Sequence, residues 1–279
     1  EIGTHLHCGL LNLDPQSLKV IPGAAESWSV DNKKTSFVFN LRRGAEFHAD
    51  ECFDGASREI TAKDFKYTFE LLCGNENNDA FATTFKNRVT GANAFNSGQA
   101  SQVLGVQVID DYTLRIELDK PDESFLFVLA QPSTAVISEK AYAKYGPDCK
   151  VGAGPYQYVS NQGELVLSRN KYFFLHDAFG NNFPYVDSII FKNIPTKQEQ
   201  LNTFFEGGLD VVSGLYLDPV RQTLEEQMTN FSGKTPKYVM QRETESAGYE
   251  SYCFFNANLK GFGSNFMGYR DFSRVQIEQ

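Results

Sequence analysis

Apolar and polar positions first fall into a clear period at Ser36–Leu41. Phe37, Phe39 and Leu41 alternate there with Ser36, Val38 and Asn40, which predicts a half-buried strand. The period then changes. Phe65, Phe69 and Leu72 follow Thr61 at i, i+4, i+7, one face of a helix. Thr61 is the expected N-cap, Asp64 sits at N3 near the positive helix end, and Cys73-Gly74 ends the segment before the polar loop Gly74–Asp79. Earlier, Asp14-Pro15 and Pro22-Gly23 bracket a short extended piece at Ser17–Ile21.

Val106 and Val108, a turn at Asp110-Asp111, and Leu114, Ile116 and Leu118 predict a hairpin. Pro121 ends it, and Glu123–Ala130 reads as a short apolar helix. Tyr156 and Tyr158, then Asn161-Gln162-Gly163, then Leu165 and Leu167 predict a second hairpin. Ile189, Ile190, Phe191 and Ile194 form an apolar strand running up to Pro195. Thr196 and Glu199 make a capping box for a helix with Leu201, Phe204 and Phe205 inward, stopped by Gly207-Gly208. Asp210–Val212 is expected to be a short strand. Asp218-Pro219 opens a helix carrying Leu224 and Met228, and Tyr238–Met240 and Tyr249–Phe255 read as strands. Hairpins early and strand–helix–strand order later predict an α/β or α+β chain with a mixed sheet.

Charge and length narrow the function. The 279 residues carry 26 Lys and Arg against 35 Asp and Glu, a net charge of −9. That balance argues against nucleic acid, which needs a basic face, and against docking on anionic lipid. No apolar run reaches the ~18 residues a membrane helix needs. Residue 1 is Glu without a visible signal peptide, and Asp271 or Ser273 starts a helix just before the last residue, so the chain is expected to be a piece of a longer protein.

Candidate chemistry is sparse. His5, His7 and Cys8 lie close together, but a metal site needs three or four converging ligands, and no further one stands nearby. His48 is expected at the surface in a turn, and His176 is isolated among aromatics. No G-x-S-x-G, dinucleotide loop or phosphate loop is present, and Asp110-Asp111 and Glu225-Glu226 suit a turn and a solvent face. Neither an enzyme, a cofactor nor a metal is called for. Most aromatics fall in core periods. Tyr172-Phe173-Phe174, and Phe81 with Phe85, stand in loop-like contexts, where they either line a ligand cleft or plug gaps between lobes.

Seven segments, in order along nearly the whole chain, resemble those of the solute-binding proteins of oligopeptide and dipeptide ABC importers, extracellular solute-binding protein family 5. They are Ile21–Trp28, Thr35–His48, Thr61–Phe65, Gly154-Pro155-Tyr156, Leu167–Tyr172, Glu206–Asp210 and Asp271–Val275. The chain departs from the pattern at Cys8, where an acid is usual, in the insertion Cys52–Glu59, and at Phe173, where a tryptophan is usual. The resemblance implies a type II periplasmic-binding-protein fold, α/β, with a second large lobe missing. It implies a small α/β domain over 9–134, the first large lobe over 1–8 and 135–255, and the start of the second lobe at 256–279.

The resemblance also implies a non-enzymatic, monomeric capture protein for peptides or similar extended solutes. Such a protein is exported to the periplasm or lipid-anchored, is not inserted in the membrane, and hands its ligand to an ABC permease. Nickel chelate, haem or an oligosaccharide are alternative ligands within the family, and a hydrolase or a surface adhesion domain are alternatives outside it. Phe81 and Phe85, near the cleft side of the small domain, and Tyr252, Phe254 and Phe255, near the hinge, are the ligand-contact candidates.

Five cysteines occur, Cys8, Cys52, Cys73, Cys149 and Cys253, with no C-x-x-C pair. They are either reduced and partly buried or paired, with one left over. A bridge between Cys52, in the insertion before the helix, and Cys73, at its end, is the expected pairing. Any partner of Cys253 is expected in the missing lobe.

Overall fold

Phe37, Phe39 and Leu41 point inward from a central strand, as their alternation predicts. The computed structural model describes residues 2–14, 17–74, 80–161, 164–177 and 179–212. In chain order these form α1 (Ile2–Leu6), β1 (Leu11–Leu13), β2 (Val20–Pro22), β3 (Ala25–Val30), β4 (Ser36–Leu41), α2 (Ala62–Cys73), α3 (Ala92–Asn96), β5 (Val106–Asp110), β6 (Thr113–Glu117), α4 (Phe125–Leu129), α5 (Glu139–Tyr145), β7 (Tyr156–Asn161), β8 (Glu164–Arg169), β9 (Ser188–Phe191) and α6 (Lys197–Phe205). Two compact units divide the chain at Pro195/Thr196, and α6 lies in the second.

In the first unit a four-stranded antiparallel sheet has the order β3-β4-β6-β5. Phe39 of β4 stands opposite Trp28 on one side and Leu114 on the other. Helix α2 covers the inner face. Its Phe65 and Phe69 are fully buried, and the Phe69 ring meets Phe85 at 5.3 Å, while Phe125 of α4 meets Phe37 at 5.2 Å. Each fully buried phenylalanine contributes roughly 1.5–3 kcal/mol by leaving water. Thr61 starts α2 as expected: its amide N–H and its hydroxyl each donate to the Asp64 carboxylate at 2.8 Å.

A second antiparallel sheet, β7-β8-β9, holds a smaller core of Leu6, Tyr156 and Leu167, with α1 laid on β7. Between the two cores the chain at 152–154 passes against residues 5–7. The Gly154 N–H donates to the Leu6 carbonyl at 2.9 Å. A Cβ on Gly152 would run into the Leu6 carbonyl oxygen and lie 2.7 Å from its carbon, so only glycine fits.

Both predicted hairpins and the apolar helix near 123–130 form. Strand β9 stops at Phe191, short of Pro195. Its partner β8 begins at Glu164, so the ladder has run out. Asp210–Val212 is a bend rather than a strand; Gly207, at φ +81°, closes α6, and no partner strand meets this segment among the described residues. The expected helix at Asp218 and the strands at 238–240 and 249–255 lie outside the described residues, as does the helix start near 271.

The Cys52–Cys73 bridge is not formed; both are free thiols. Cys73 closes α2 with its side chain fully buried in the core, and burial pushes its thiol up to about 12. Cys52 lies on a separate 3-10 turn, Glu51–Phe53, where its N–H donates to the Asp50 carboxylate at 2.8 Å.

Candidate functional site

Phe81 and Phe85 do not lie in a loop. They occupy one π-helical turn, Phe81–Phe85, and both rings point into the core, with 4% and 0% of their surface exposed. Neither offers surface to a ligand. Their four-residue spacing is a helical signal, but five residues with no second apolar repeat leave it short of a periodic pattern. Tyr252, Phe254 and Phe255 lie outside the described residues. Of the other aromatic candidates, Phe173 is buried with its ring 4.9 Å from that of Phe174 and tilted 45° to it, while Tyr172 stands exposed.

The three clustered candidates near the start of the chain diverge. The His5 ring meets Tyr156 edge-on at 5.8 Å and Phe191 at 6.3 Å. The Cys8 thiol donates to the Gly9 carbonyl, and burial pushes it up to about 12. His7 is drawn toward neutrality by burial and faces His48. No group of three or more His, Cys, Asp or Glu is placed to hold a metal among the described residues.

His48 corrects a second expectation. It is 5% exposed rather than at the surface. Its Nδ1 accepts the Gly152 N–H and its Nε2 donates to the Gly154 carbonyl at 3.0 Å, which fixes the tautomer. Burial is the main force that pulls its pKa down to about 4. Fully paired and neutral, this imidazole is a structural clasp, with no free nitrogen for proton transfer.

Two surface grooves are formed by described residues. One, of about 500 Å³, runs along β3, β4 and the β5–β6 turn. The Arg43 guanidinium lies 4.0 Å over the Tyr112 ring there. Asp110 accepts the Tyr112 N–H at 2.8 Å, and Asp111 pairs with Lys63 at 2.8 Å, so the adjacent carboxylates serve the turn and the surface. The other groove, of about 310 Å³, lies between His48, Tyr145, Lys150 and Tyr158. Lys150 sits 4.2 Å over the Tyr158 ring and Tyr145 donates to Asp50 at 2.8 Å. Neither groove brings a nucleophile beside a base. His176 bonds Asn182 at 2.8 Å, away from both grooves.

No described helix is long and apolar enough to cross a membrane. The architecture has clear relatives. It superposes on Haemophilus influenzae OppA in complex with RPPGFSPFR with a TM-score of 0.68 at 21% identity, over 81% of this chain and 44% of that one. It superposes on the Escherichia coli murein tripeptide binding protein MppA with a TM-score of 0.66 at 22% identity, over 82% and 43%. The chain thus carries part of a type II periplasmic-binding-protein fold.

In sequence it is 27% identical over 215 residues to the Escherichia coli probable ABC transporter periplasmic-binding protein SapA, covering 73% of this chain and 37% of that protein. It is 30% identical over 165 residues to di/tripeptide-binding protein 4 of Pseudomonas aeruginosa, covering 57% and 29%. The chain spans about a third of the length of the curated relatives it matches. Residues 19–267 match the middle region of the bacterial extracellular solute-binding proteins, family 5. With most of its length inside that match and its fold shared with such proteins, the chain belongs to the family 5 extracellular solute-binding proteins.

Proposed function

We propose that the complete protein is the substrate-binding component of an ABC importer that captures peptides or similar extended solutes in the periplasm. The family match over 19–267 carries this reading. The names of the relatives support the ligand class: di/tripeptide-binding, dipeptide-binding and glutathione-binding proteins recur among them. In this reading the protein performs no chemistry on the ligand it captures.

In this reading two lobes close on the ligand, which gains main-chain hydrogen bonds in a buried cleft. Residues 9–134 form the small domain, 1–8 and 135–255 belong to the first large lobe, and 256–279 begin the second. Tyr252, Phe254 and Phe255 near the hinge are the ligand contacts, an ABC permease is the partner, and the protein acts as a monomer.

Calorimetry of the complete protein with a pool of di- to pentapeptides tests this. Saturable binding with the peptides recovered intact is expected. Absence of binding, or cleavage of the peptides, overturns the reading.

A further inference from the structure

Four of the five cysteines lie in described residues, and their surroundings separate them into two kinds. Cys8 and Cys73 are 4% and 0% exposed, sealed in the core. Cys52 and Cys149 are half-buried at the rim of that same core and keep a path to solvent.

Two ordered turns bring the second pair together. Cys52 sits on the 3-10 turn Glu51–Phe53, held by Asp50, whose carboxylate accepts the Cys52 N–H at 2.8 Å. Cys149 follows the 3-10 turn Gly146–Asp148 that continues from α5, with its thiol 3.9 Å from the Val151 carbonyl. The turns are tied across the gap. Tyr145 donates its hydroxyl to Asp50 at 2.8 Å, and Lys144 pairs with Glu51 at 2.7 Å. The Asp50 carboxylate bears on both thiols, and Cys149 bears on Cys52.

We propose that Cys52 and Cys149 are a redox pair that closes to an intrachain disulfide pinning the 50–53 turn to the end of α5. This goes beyond the transport reading and does not depend on it. The oxidant is a disulfide of a small thiol, such as oxidised glutathione. The thiolate of one cysteine attacks a glutathione sulfur and expels one glutathione thiolate, leaving a mixed disulfide. The second cysteine's thiolate attacks the protein-side sulfur and expels the other glutathione. Two protein thiols lose two protons and two electrons, and two glutathione thiols gain them.

Burial first, and then the Asp50 carboxylate, push the Cys52 thiol up to about 11, and burial raises Cys149 too. Few thiolates exist at neutral pH, so exchange quickens about tenfold per pH unit in this range. Closing a loop of about a hundred residues restrains the unfolded chain strongly.

The test incubates the full chain with oxidised glutathione at about pH 9, alkylates it, digests it without reduction and maps the peptides by mass spectrometry. A cross-linked pair containing Cys52 and Cys149 is expected, lost in both Cys52→Ser and Cys149→Ser and kept in Cys73→Ser. Reduction of the closed form is expected to lower the thermal midpoint by about 5–10 °C. Alkylation of both residues after oxidation, or a principal cross-link from either one to Cys8, Cys73 or Cys253, overturns the assignment.

Discussion

His48 and Gly152 bond each other twice. The His48 amide N–H donates to the Gly152 carbonyl at 2.8 Å, and the Gly152 N–H donates back to the imidazole Nδ1 at 3.2 Å. The second bond requires a neutral ring. In the unfolded chain the imidazole titrates near 6.5, and in the folded chain near 4, mainly because burial penalises its charge. Between those values the unfolded chain takes up a proton that the folded chain refuses. Stability is therefore full above pH 6.5 and falls as the pH drops toward 4, by about 3 kcal/mol. His7, lowered by burial as well, acts in the same direction. Urea unfolding at pH 7 and pH 5 should show about 2 kcal/mol of this loss, and His48→Gln should flatten the pH slope while lowering stability at pH 7. An unchanged slope in the variant would exclude His48 as its source.

Gly152 and Gly154 should not tolerate a side chain. A Cβ on Gly154 would come 2.6 Å from the Leu6 carbonyl carbon, and one on Gly152 would meet the Leu6 carbonyl oxygen. These obstacles are backbone atoms, so the crossing itself must open. Gly152→Ala is expected to cost about 3 kcal/mol or more. Gly44, with open space around its Cβ position but φ at +74°, should cost only about 1 kcal/mol as alanine. Thermal denaturation of the two variants side by side checks the ranking.

Phe85→Ala tests the core assignment of the π-helical turn. Phe85 is fully buried against Phe69, so truncation should leave a cavity and cost about 3–5 kcal/mol. Phe85→Leu should cost much less. If both variants keep wild-type stability while the complete protein loses ligand affinity, the ring belongs to a ligand wall instead.

The 279-residue chain should bind peptides more weakly than the complete protein. A working small-ligand site buries about 70–90% of the ligand surface, and in the proposed reading the ligand is closed between two lobes. A chain spanning about a third of its curated relatives supplies only part of that enclosure. Calorimetry of both forms with one peptide pool should show at least tenfold weaker binding by the shorter one. Equal affinities would place the whole site within these residues.

The sheet centre was legible because β4 and β6 bury one face each, so Phe37, Phe39 and Leu41, and Leu114 and Ile116, recur at every second position. Helix α2 was legible twice over, from the Phe65–Phe69 spacing and from the Thr61–Asp64 cap. Strand β3 was hidden because it is the sheet edge. Only Ala25 is fully buried on it, and Glu26 and Ser27 face solvent. The burial of His48 was illegible for a different reason. Its partners lie 104 and 106 positions away, and no local period reports a contact at that distance. The Cys52–Cys73 expectation failed on the same ground: closeness in sequence does not report that Cys73 is sealed in the core at the end of α2 while Cys52 stands on a separate turn.

The clasp at Gly152–Gly154 also sets an order of events. The segment ending at Leu6 has its hydrogen-bonding partner at Gly154, and His48 reaches to the same place. During synthesis at ~5–20 residues per second, residues 5–7 therefore wait roughly ten to thirty seconds for the segment at 152–154 that receives them. Contacts this distant in sequence also slow refolding of a finished chain. The β3–β6 sheet and α2 can collapse earlier on their own hairpin and helix, while residues 2–7 stay undocked. Residues 2–7 thus take their final place only after the sheet and α2 have formed, because their partners stand nearly 150 positions further along the chain.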